Sequence, residues 1–85
     1  MTEQWTYGER KGTFTNGPAT RIMGMYLTVS DVLELHTGFH EGTFRVARIV
    51  PSMFSGSRDV YLVNVVTGEV EVMEMLGSQR FDLVA

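Results

Sequence analysis

Eighty-five residues, 44% of them hydrophobic and only 20% charged, make one small folded domain and exclude a disordered chain. The absence of cysteine excludes a disulfide scaffold and any thiolate nucleophile or metal ligand. A net charge of −3 leaves protein partners open, and it disfavours a general nucleic-acid coat, which needs cations to release counterions.

The opening residues, MTEQWTYGER, lack the basic-then-apolar pattern of a secretory leader. No apolar run reaches the ~20 residues that cross a bilayer. A soluble, cytoplasmic protein with no membrane partner is therefore expected. Next, Thr13–Thr15 and Ala19–Thr28 flank Asn16-Gly17 and predict a hairpin, with Pro18 where an edge strand tolerates a missing donor. Ser30 to Gly38 (SDVLELHTG) admits two readings. As a helix, Ser30 caps it and Gly38 ends it. As a strand, Leu33 and Leu35 point inward while Glu34 and His36 point outward.

Thr43–Val50 predicts a strand stopped by Pro51, and the following PSMFSGSR predicts a loop carrying Met53 and Phe54, an apolar pair that either folds back to plug a barrel end, the slightly favoured reading, or stands out as an anchor for a partner. Val60–Val66 is apolar on both faces except at Asn64, as in a central strand covered on each side. Thr67-Gly68 predicts a bulged turn with Gly68 at positive φ. Beyond it Val70 and Val72 share one face, and Glu69 and Glu71 share the other as its wet side. Glu74 then falls with the valines and Met73 and Met75 with the glutamates, which predicts a bulge or strand end near Met73. Arg80–Val84 is a last short strand after a turn at LGSQ.

From Ser30 onward this order resembles a small SH3-like β-barrel of the KOW type. Asp31, Leu33, Leu35, Gly38 and Gly42 in DVLELHTGFHEG fall at that pattern's places, TFRVARIV is the returning strand, and RFDLV the closing one. Two positions depart: Glu41 stands where lysine is common and Arg45 where a third glycine falls. The resemblance covers residues 30–84 and implies a strand at Ser30–Thr37 and a binding barrel that rarely carries catalysis. The expected fold is all-β, about five antiparallel strands in an SH3-like barrel over residues 30–85. Residues 1–29 form an N-terminal hairpin expected to cover the second apolar face of Val60–Val66.

Chemistry-bearing residues are sparse. His36 and His40 would face one way on a helix, but Gly38 interrupts it and no further ligands are nearby, so no metal is expected. Glu69, Glu71, Glu74 and Asp82 lack a basic or nucleophilic neighbour, and no phosphate loop or triad order is present, so neither catalysis nor a cofactor is expected. A non-catalytic protein-binding module docking through a loop or an edge strand fits best. Such a domain suits a phage-encoded accessory protein acting on a host factor. Met53, Phe54 and Arg58 form one candidate contact surface, an apolar pair with an arginine on a loop. Glu69 and Glu71 form a second, an acidic strip for a basic partner. The alternative is a KOW-like nucleic-acid-binding barrel using Phe39, His40, Arg45 and Arg48, although a regular strand places the two arginines on opposite faces. A structural subunit that self-associates through strand edges is a third possibility.

Overall fold

The computed structural model describes residues 4–53 and 56–84. Strands occupy Thr6–Tyr7 (β1), Thr13–Asn16 (β2), Ala19–Met23 (β3), Val32–His36 (β4), Glu41–Pro51 (β5), Ser57–Asn64 (β6), Val70–Leu76 (β7) and Arg80–Leu83 (β8). The only helical piece among the described residues is a single 3₁₀ turn, Gly24–Tyr26. The fold is all-β, and Ser30–Gly38 resolves as a strand: with Leu33 and Leu35 buried and His36 exposed, its alternation is that of a sheet.

All eight strands form one antiparallel sheet in the order β1-β2-β3-β8-β4-β5-β6-β7. The count exceeds the expected five plus a hairpin, because β1 adds a strand before the hairpin and pairs Thr6 with Thr15. The hairpin also packs differently from expectation. Instead of lying over β6, β3 pairs edge to edge with β8, setting Ile22 against Phe81 and Arg21 against Asp82. Its turn centres on Gly17-Pro18 between the paired Asn16 and Ala19, with Gly17 at φ +60°. Glycine at that first central position lets a two-residue turn match the strand twist. Pro18 therefore sits in the turn itself.

One face of the sheet supplies the core. Ile22, Leu33, Phe44, Val46, Val60, Leu62 and Met75 are essentially inaccessible, and Leu27, Leu35 and Phe81 join them. Beyond the strands the backbone bonds continue: Gly24 N–H donates to Gln79 C=O (2.7 Å), prolonging the β3–β8 ladder, and Met25 N–H to Gly77 C=O (3.0 Å) in the turn between β7 and β8. Gly24 lies so close to the Leu76 carbonyl that a Cβ there would collide with it.

Two irregularities aim the side chains. β5 shifts register between Val46 and Arg48, so Ala47 is an extra residue against β6. Arg45 and Arg48 consequently share the outer face, where a regular strand would split them, and both are exposed. In β7 the ladder to β6 runs unbroken from Val70 to Leu76, so no bulge interrupts it at Met73. Glu71 and Met73 oppose the inward Leu62 and Val60, while Val70, Val72, Glu74 and Leu76 face out. The valines expected inside are thus outside, and the strand's inner face is carried by the methionines.

An ionic clasp holds the N-terminal strands to the start of β4. The Arg10 guanidinium donates to both carboxylate oxygens of Asp31 (2.7 Å each), to Thr28 Oγ1 (3.0 Å) and to Tyr26 C=O (3.1 Å). Burial pushes the Asp31 carboxyl up, but hydrogen bonds from Arg10 and from the Thr28 N–H outweigh it and hold the group below its ordinary value. Arg10 is raised in turn, chiefly by its hydrogen bond to Asp31. Ser30, in the turn beside the clasp, adopts φ +83°, an uncommon conformation for a residue with a Cβ.

Candidate interaction surface

The loop residues expected at the site fall at opposite ends of the strands β4 to β7. Met53 stands 97% exposed in the loop between β5 and β6. Phe54, its expected companion, lies outside the described residues. Arg58 is half-buried on β6 opposite Pro51 and Met75, and it borders a cavity of about 470 Å³ shared with Met23, Met25 and Gly77. At the other end Glu69 is exposed in the loop that joins β6 to β7, and Phe39, 92% exposed, tips the loop between β4 and β5.

Glu71 and His40, assigned to different surfaces by sequence, meet each other. His40 Nδ1 and Glu71 Oε2 are 2.7 Å apart, and both side chains are largely covered. This bond ties the β4–β5 loop across the inner face of β7. Residues drawn from the two different candidate surfaces are thereby brought together. His36 points elsewhere: it stands on the outer face 3.7 Å from Asp82, so the two histidines do not converge. Among the described residues no group of three or more His, Asp or Glu side chains gathers as metal ligands would. Where His36 lies, a cavity of about 240 Å³ is lined by Arg21, Glu34, His36, Arg80 and Asp82, below the usual size of a small-molecule site.

The outer face divides into two halves. Over β2, β3, β8 and β4 the cations are engaged. Arg21 bonds Asp82 (3.1 Å) and lies over the Trp5 ring (4.4 Å), and Arg80 lies over the Phe14 ring (4.1 Å). Over β5, β6 and β7 the picture changes. Arg48 lies over Tyr61 (5.5 Å), but beyond it Val70, Val72 and Leu76 are each half or more exposed. Val65 and Val66, expected in a covered strand, extend this apolar strip into the loop.

Along Val70–Glu74 the backbone beneath that strip is only half engaged. Asn64 N–H donates to Glu69 C=O (2.9 Å) at one end of the β6–β7 ladder, and Gly77 N–H to Gly56 C=O (2.8 Å) at the other. Antiparallel strands alternate between residues that bond the neighbour and residues that face away. The unbroken register between those bonds turns Glu71, Met73 and Met75 toward β6 and turns Val70, Val72 and Glu74 outward. β7 ends the sheet, and among the described residues no group bonds the outward N–H and C=O of those three. Leu76 alone is capped, by Gln79: its N–H reaches Gln79 Oε1 (3.4 Å) and its C=O accepts the Gln79 N–H (3.1 Å).

Sequence reasoning missed this strip by one residue of parity. Val-Glu-Val-Met-Glu-Met alternates equally well either way, and choosing the valines as the buried set hid the apolar surface. The run of apolar residues from Val60 to Val66 with Val70 and Val72 was the available signal, being more apolar surface than one small core can cover. No protein-family model, curated protein or solved structure matches the chain.

Proposed function

We propose that the protein is a non-catalytic protein-binding module that receives an extended segment of its partner along the free edge of β7. One observation carries this reading: the unpaired N–H and C=O groups of Val70, Val72 and Glu74 lie at the margin of an exposed apolar row. A strand added there gains ladder hydrogen bonds and covers Val70 and Val72 together. Natural sheets blunt such edges with charges, lysine above all, and with proline or bulges; β7 has no lysine, proline or bulge, and its charges are Glu74 on the outer face and Glu71 on the inner face, tied to His40. The order β8-β4-β5-β6-β7 also supports reading residues 32–83 as the five strands of an SH3-like binding barrel, with β1–β3 added beside β8.

Val72→Pro tests the reading, since it removes an outward N–H that β6 does not use. Affinity capture should recover a partner with the wild type and lose it with Val72→Pro, while the variant's circular dichroism stays unchanged. Equal recovery by both proteins overturns the reading.

A nucleic-acid partner is the second reading, favoured because the bulge at Ala47 sets Arg45 and Arg48 on one face beside Tyr61. Under that reading affinity falls steeply with salt and with Arg45→Gln/Arg48→Gln, and is indifferent to Val72→Pro.

A further inference from the structure

The outer face of β7 also carries a charge conflict. Asp59 and Glu74 are directly opposed across β6 and β7, and both point outward. Opposed outward residues of this kind hold their Cβ atoms about 4.5–5.5 Å apart, and like charges so placed destabilise a sheet. Nothing cationic answers them: among the described residues neither carboxylate has an arginine, lysine or histidine within ion-pair distance, and Glu74 accepts only from the Ser52 hydroxyl (3.1 Å). The third member of the row, Val50 on β5, is apolar. The rows on either side are not acidic: Arg48 and Tyr61 lead to Val72, and Arg45 and Val63 lead to Val70.

Taking the β7 edge as the docking site proposed above, we infer that its occupant is an antiparallel strand of a partner protein with a lysine or arginine opposite Glu74 and apolar residues opposite Val72 and Val70. The outward backbone groups fix this register. A strand that pairs with the N–H and C=O of Val70, Val72 and Glu74 sets alternate side chains directly beside those three on the outer face. Antiparallel direction continues the rest of the sheet and makes the more stable ladder. Read along the partner, the motif is basic–x–apolar–x–apolar. Its cation sits beside Glu74, within reach of Asp59, and relieves the repulsion, while its apolar pair extends the Tyr61–Val72 and Val63–Val70 rows. The intervening residues face the other side, beside Glu71, already held by His40, and Met73.

Two blocked peptides test it, Thr-Lys-Thr-Val-Thr-Val-Thr and the same sequence with glutamate replacing lysine, titrated into the full chain labelled for amide NMR. The lysine peptide should shift the Val70–Leu76 amides and bind roughly tenfold more tightly than the glutamate peptide at low salt, with the difference shrinking as salt is added. Glu74→Lys should invert the preference, and Val72→Pro should abolish binding of both peptides. Equal affinity for the two peptides, with Val72→Pro still abolishing it, overturns the charge assignment and leaves strand addition standing. No binding of the lysine peptide, or binding that Val72→Pro does not affect, overturns the proposal, and the capture experiment then judges the edge separately. Concentration-dependent self-association that Val72→Pro removes also overturns it, because a second copy of this chain would then occupy the edge.

Discussion

The two ends of the sheet are built differently. β1 is only Thr6–Tyr7, and its Thr6 hydroxyl bonds back to the Thr15 hydroxyl (3.1 Å) on the neighbouring strand. An edge so short offers a foreign strand little to pair with. β7 is seven residues long and apolar on its outer face except at Glu74, and the outward backbone groups of Val70, Val72 and Glu74 have no bonding partner among the described residues. The outer face follows the same division. Beside β1 the arginines are spent on Trp5, Phe14 and Asp82, whereas beside β7 two carboxylates stand opposed with no cation within ion-pair distance among the described residues. Bonding is met at the β1 end, and the open bonding at the β7 end is what the proposed strand addition would fill.

That contrast can be broken by mutation. The largest effect belongs to the core shared by the whole sheet: Leu62→Ala, at a fully buried position, should lower stability by about 2–5 kcal/mol in urea denaturation. Next comes a pair of proline substitutions one residue apart. Met73→Pro removes an N–H that bonds β6 and should cost about 2–4 kcal/mol. Val72→Pro should shift stability by less than about 1 kcal/mol, since its N–H faces outward. Similar costs for the two would mean that the β7 edge is already paired.

Smaller effects sharpen the account of the N-terminal half. Asp31→Asn should cost about 1–2 kcal/mol at neutral pH by weakening the clasp to Arg10. Because the folded-state pKa of Asp31 is depressed, its stabilising contribution is fully present above the unfolded carboxylate value, near 3.9, and is lost as pH falls through the lower folded value. The melting temperatures of wild type and Asp31→Asn should therefore converge below about pH 4. Ser30→Gly should raise stability by roughly 0.5 kcal/mol, measured by the same denaturation, since glycine adopts φ +83° without a Cβ penalty.

Local rules carried much of the fold. Gly17 and Gly68 take the positive φ that their turns demand, and Pro51 ends β5, whereas the Leu33–Leu35 alternation fitted a strand and a capped helix equally and only the resemblance favoured the strand that β4 forms. What stayed hidden depends on partners distant in the chain. The bulge at Ala47 exists only against β6, yet it decides that Arg45 and Arg48 share a face. The hairpin's docking on β8 and the Arg10–Asp31 clasp are contacts between segments that no short-range pattern links. The parity of β7 is the costliest case for function, because a shift of one residue exchanges its buried and exposed sets. Glu69 was legible as exposed, whereas for Met53 the sequence left a barrel plug and an exposed anchor both open, and its exposure depends on how the loop between β5 and β6 folds.

Amide hydrogen exchange along β7 in the free protein tests the open edge most directly. The amides of Val70, Val72 and Glu74 should exchange close to the rate of unstructured peptide, while those of Glu71, Met73 and Met75 are slowed by orders of magnitude. Equal protection of Val72 and Met73 would contradict the account, because the edge would then already be closed by this chain or by a second copy of it.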